Sequence, residues 1–110
     1  MKSKDNILEI AVNSFKNQGN AILNLHKFLT QDFENAVKKI QSSNGRVIVS
    51  GIGKSAIIGN KIVATLNSTG TPSIFMHAAE AIHGDLGIIQ KDDIIILLSK
   101  SGNTPEIKNL

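Results

Sequence analysis

Apolar side chains recur at helical spacing through the first third of the chain, then gather into short β-branched runs separated by glycine-bearing turns. Ile7, Ala11, Phe15, Ile22, Leu25 and Leu29 trace one stripe, which predicts a helix from Asp5 to about Phe28. Gly19-Asn20 is expected to kink or weaken it, because glycine costs about 1 kcal/mol against alanine inside a helix. A second helix is predicted after Thr30, a good N-cap, with Asp32 in its first turn favouring the helix dipole. Phe33, Ala36, Val37 and Ile40 form its apolar stripe, and Asn44-Gly45 ends it. A long helix ahead of a sheet serves either as a subunit contact or as packing on its own sheet, and the pattern leaves both open.

From Arg46 the period changes. Arg46 to Ser50 is short and β-branched, so a strand is predicted there. Ile57, Ile58, Ile62 and Leu66 predict a helix from Ala56 to Thr69, stopped by Gly70 and Pro72. Ser73 to Met76 reads as a second strand. His77 to Gly87 reads as irregular, with one helical turn near Ala79 to Ile82. Ile94 to Leu98 is a continuous apolar run, the pattern of a central parallel strand covered on both faces. Thr104 is expected to cap a last helix, with Pro105 at its first position and Glu106 in its first turn.

Strands alternating with helices predict an α/β fold, a doubly wound parallel sheet with flanking helices. Residues 1–45 are expected to form a helical lead-in and residues 46–110 a βαβ core. About three strands is few for such a sheet, so the domain is expected to be incomplete and the chain to be part of a longer protein.

Composition narrows the function. The 110 residues are 41% hydrophobic and 19% charged, and the net charge is +3. That is a globular composition rather than a disordered one. Trp and Tyr are absent and Arg46 is the sole arginine, so no base-stacking or arginine-rich nucleic-acid surface is expected. Without cysteine there is no disulfide, thiolate metal site or thiol nucleophile, which fits a cytoplasmic setting. No apolar run has the length of a membrane span.

Two turns carry the chemistry. Gly51-Ile52-Gly53-Lys54-Ser55 follows a predicted strand and opens a predicted helix. Its glycines let backbone amides approach a ligand, the helix presents its positive end, and Lys54 adds a full charge. Ser55 can cap that helix or offer its hydroxyl. The dinucleotide fingerprint is matched only formally, because Phe75-Met76-His77 stands where an acid for the ribose belongs. The P-loop pattern fails, since Ile48 occupies the place of its first glycine. The second turn, Ser99-Lys100-Ser101-Gly102-Asn103-Thr104, supplies hydroxyls and amides ahead of another helix. Ligands gather at the carboxyl ends of parallel strands, so both turns are expected to grip one phosphate. His77, Glu80, His83 and Asp85 match no standard zinc spacing, so no metal is expected, and no cofactor.

These turns, with Ser68-Thr69-Gly70-Thr71-Pro72 and Glu80-Ala81-Ile82-His83-Gly84-Asp85-Leu86-Gly87, closely resemble the sugar isomerase (SIS) family, within it the arabinose-5-phosphate isomerases. The resemblance covers roughly residues 5–110. It implies a flavodoxin-like fold and interconversion of D-arabinose 5-phosphate and D-ribulose 5-phosphate through a cis-enediol, feeding Kdo and lipopolysaccharide synthesis. Carried over by position, Gly53, Ser55, Ser99, Ser101, Gly102 and Thr104 would hold the phosphate, and Lys54, His83 and Glu106 would act at the sugar. His77-Ala78-Ala79-Glu80 departs from the His-Pro-Gly-Glu of many relatives. The resemblance also implies a homo-oligomer, a dimer or tetramer, and a catalytic Glu and His beyond residue 110. The alternative is a non-catalytic SIS module that senses a sugar phosphate or nucleotide sugar.

Overall fold

The computed structural model describes residues 6–110, so Asp5 at the predicted start of the first helix lies outside the described residues. The chain divides into two compact units, one ending at Val37 and the other beginning at Lys38. Helix α1 (Ile7–Asn24) is capped by the Asn6 side chain, which accepts from the amides of Leu8 (3.0 Å) and Glu9 (3.2 Å). Gly19 lies within this uninterrupted helix, and the winding tightens later, in a 3-10 turn at Leu25–Phe28. Helix α2 (Gln31–Ser42) begins as expected, with Thr30 Oγ1 accepting from the Asp32 amide at 3.2 Å. None of the described helices is long and apolar enough to cross a membrane.

The unit from Lys38 onward is a parallel sheet with flanking helices. Strand β1 (Val47–Gly51) lies between β2 (Ser73–His77) and β3 (Ile94–Leu97). Val47 pairs with Ser73 and with Ile94, and the register runs on to Gly51 opposite His77. Every residue of β1 is buried. By the two-residue period, Ile48 and Val49 face opposite sides of the sheet. Ile48 packs with Met76 and Ala81, flanked by Ile74, Ile89 and Leu110. Each fully buried aliphatic side chain of this kind contributes about 1.5–3 kcal/mol.

Helix α3 (Lys54–Ser68) covers the other face through its small residues. Ala56 and Gly59 are buried, and a Cβ on Gly59 would lie 2.8 Å from the Phe75 ring and 3.3 Å from Val49. Ile57 and Ile58, part of the predicted stripe, are exposed instead. The helix sits too close to the sheet for large side chains at the contact. The start of β2 is held by Asn67, whose amide bridges the backbone N–H (2.8 Å) and C=O (3.0 Å) of Ser73.

Ile94 to Leu98 supplies the parallel strand β3, which among the described residues pairs with β1 alone, with Ile95 and Leu97 about 40% exposed. The crossovers place β1 in the middle of the three described strands.

The amino ends of β1 and β3 are locked by Arg46 and Asp93. Asp93 Oδ1 accepts from the Arg46 amide (3.0 Å) and Nε (3.2 Å), and Oδ2 from Arg46 Nη2 (2.7 Å) and the Gln90 amide (2.7 Å). Arg46 Nη2 also donates to Ile88 O at 2.8 Å. The Asp93 side chain is 1% exposed. The Arg46 hydrogen bonds, then the Gln90 amide, hold its carboxyl well below the usual carboxylate range.

Candidate functional site

The first turn lies at the carboxyl end of β1. A Cβ at Gly51 would stand 3.1 Å from the backbone of Ser55, so this glycine lets the first turn of α3 rest directly on the strand. Gly53 adopts φ 62°, ψ −131°, a conformation costly for residues with a side chain, although a Cβ there would meet nothing. Gly53 thus stands at the N-cap, and α3 begins at Lys54, two residues before the predicted start. Ser55 is therefore inside the first turn and does not cap it. The amide of Ala56 donates to Gly53 O (3.1 Å). The amides of Lys54 and Ser55 precede it, at positions with no intrahelical acceptor.

The second turn follows β3. Ser99 Oγ and Thr104 Oγ1 are 2.8 Å apart, and Ser99 Oγ also accepts from the Gly102 amide at 3.0 Å. Ser101 Oγ accepts from the Asn103 amide at 3.0 Å. Gly102, at φ 74°, reverses the chain between them. Helix α5 (Pro105–Lys108) starts with Pro at its first position, as expected. The Thr104 cap expectation is corrected in part: Thr104 stands at the N-cap, but its hydroxyl crosses the loop to Ser99 instead of meeting a helix amide.

Pairing of β1 with β3, extended by Leu98 N donating to Ser50 O at 2.9 Å, sets the two turns side by side. Between them lies an open cavity of about 470 Å³ lined by Lys54, Ser55 and Ser99, together with Lys100 and the apolar Ile52, Ile58 and Leu98. No acidic side chain is among its lining residues. Of the predicted site residues, the structure brings Lys54, Ser55 and Ser99 together here. Gly53, Ser101, Gly102 and Thr104 shape the two turns without lining the cavity.

His83 and Glu106 do not line the cavity either. His83 is exposed, just past α4 (Ala78–Ala81), its amide donating to Glu80 O at 3.0 Å. Glu106 is half-buried in the first turn of α5. His77 accepts from the Ala79 amide through Nδ1 at 3.2 Å and so caps α4. Among the described residues, no group of three His, Cys, Asp or Glu side chains could hold a metal ion. Sequence reasoning missed Lys100 and the apolar wall. Leu98 was legible only as a strand residue, and Lys100 only as a member of the second turn with no part of its own.

The SIS domain family profile matches residues 39–110. Over 105 residues, 96% of this chain and 31% of the relative, the chain is 47% identical to a probable arabinose 5-phosphate isomerase of Haemophilus influenzae. It is 56% identical over 79 residues to an arabinose 5-phosphate isomerase of Pseudomonas aeruginosa, covering 72% of this chain and 24% of that protein. An Escherichia coli CFT073 protein solved in complex with arabinose 5-phosphate superposes with a TM-score of 0.84 at 43% identity, over 96% of this chain and 57% of that one. The chain thus spans about a third or less of the length of these two curated relatives.

Proposed function

This chain belongs to the SIS domain family, and from that premise we propose that the protein carrying it isomerises D-arabinose 5-phosphate and D-ribulose 5-phosphate. One observation carries the proposal: turns from two adjacent parallel strands meet at a single cavity lined by two lysines and two serines and by no carboxylate. The phosphate lies between them, held by the hydroxyls of Ser55, Ser99, Ser101 and Thr104 and by the amides that follow Gly53, while Gly102 shapes the second turn. The sugar carbonyl faces Lys54, whose ammonium stabilises the oxygen of a cis-enediolate. A base removes the proton beside the carbonyl and returns it to the neighbouring carbon; His83 and Glu106 are the candidates on this chain. The proposed setting is the cytoplasm, upstream of Kdo and lipopolysaccharide synthesis.

The protein is further proposed to assemble as a dimer or tetramer. The support is the apolar face of α1, where Ile7 is 80% and Phe15 73% exposed. A full-length protein that sediments as a monomer at micromolar concentration refutes this.

Full-length protein is expected to convert arabinose 5-phosphate to ribulose 5-phosphate, and Lys54→Ala to lose at least about a hundredfold in kcat. Absence of turnover on any pentose phosphate overturns the reading. A second reading, a non-catalytic sugar-phosphate sensor, draws on the positions of His83 and Glu106 outside the cavity lining. It is recognised by thermal stabilisation with ligand and no turnover.

A further inference from the structure

Lys100 stands between the two serines of the second turn, and its spacing in the sequence assigns it no part. The geometry points to Lys100 as the side chain that balances the charge of the ligand's phosphate, leaving Lys54 for the reacting end of the sugar. This assignment rests on the isomerase reading above and makes Lys100 a specificity-determining residue for phosphate monoester dianions.

The first reason is placement. Lys54 and Lys100 line the same cavity but arrive from different turns, one at the start of α3 and one beyond β3. The second is the hydrogen-bond inventory of the loop. Each hydroxyl offers one proton, and Ser99 and Thr104 use one between them. The amides of Gly102 and Asn103 are turned onto the loop's own serines. The remaining hydroxyl protons are neutral donors, so the loop without Lys100 brings no formal charge to a doubly charged ester. The third is the wall. Ile52, Ile58 and Leu98 reduce the water available to the anion, and an unbalanced charge against apolar surface is costly. With Lys54 at the reacting end of the sugar, Lys100 is the cation among the lining residues left to face the phosphate.

The test uses full-length protein and its Lys100→Gln, Lys100→Arg and Lys54→Ala variants. Lys100→Gln is expected to raise KM for the sugar phosphate about tenfold or more, with kcat falling far less, and Lys100→Arg to restore most of the loss. Wild-type KM should fall as pH rises past the second phosphate pKa near 6, and that fall should flatten in Lys100→Gln. Lys54→Ala should instead act on kcat. Thermal stabilisation by inorganic phosphate, measured in parallel, is expected to drop at least about twofold in Lys100→Gln. A wild-type protein stabilised by phosphate but without turnover removes the isomerase reading, and this binding comparison still decides Lys100. Wild-type-like KM and phosphate stabilisation in Lys100→Gln overturn the assignment.

Discussion

Ser99 and Thr104 join their hydroxyls across the second turn at 2.8 Å, and this bond closes the loop from within. A preformed loop needs less ordering on binding than a free one. Ser99→Ala deletes the bond and also the acceptor for the Gly102 amide. The expected result is at least about tenfold weaker sugar-phosphate binding and about 1 kcal/mol lower stability. Calorimetric titration and urea unfolding measure the two effects. Thr104→Val keeps the shape and should give the smaller loss.

Gly51 and Gly53 serve the first turn for different reasons, and alanine separates them. At Gly51 the new Cβ meets the Ser55 backbone, so α3 must lift from the strand. At Gly53 the space is open and only the positive φ resists. Gly53→Ala is expected to cost about 1–3 kcal/mol and to weaken phosphate binding together with stability. Gly51→Ala should destabilise more, since backbone cannot move aside as a flexible side chain can. Chemical unfolding of both variants in the same protein ranks them.

Acid should loosen the amino ends of the strands. The folded carboxyl of Asp93 is held far below its unfolded value near 3.9, so the unfolded state binds the proton more readily. Stability from this group is fully present above about pH 5 and falls as pH drops through the range between the two values. Arg46 stays charged throughout. Melting temperatures between pH 3 and 7 should fall at the acid end in the wild type. Asp93→Asn should start lower at neutral pH and show a shallower acid decline. An equal slope in both proteins would refute the assignment.

Ser50 is 0% exposed, and its Oγ has no hydrogen-bond partner among the described residues. A buried hydroxyl left unpaired costs about 1–3 kcal/mol. Ser50→Ala is therefore expected to raise stability by about 1 kcal/mol in urea unfolding. A loss of that size would mean that the hydroxyl has a partner in solution.

Much of this was legible in the residues, and the misses have physical causes. β1, α3 and β2 could be placed because Val47 to Val49, Gly70-Pro72 and the turn glycines act locally. The pairing of β3 with β1 rather than β2 could not, because nothing local to Ile94 to Leu98 names its neighbour. The exposure of Ile57 and Ile58 was hidden for a related reason: the α3–sheet distance is set by Gly59 against Phe75, a long-range contact that no helical period reports. At the site, the two turns were readable as glycine-bearing bends that follow parallel strands. That Lys100 lines the same cavity as Lys54 depends on the β1–β3 pairing, which is tertiary.

The lock between Arg46 and Asp93 grips the sheet at the end opposite the two turns. Each end of the sheet thus has its own fastening, the ion pair at one and the Ser99–Thr104 bond at the other. A substitution at Lys54 or Ser99 is therefore expected to leave the Arg46–Asp93 end intact.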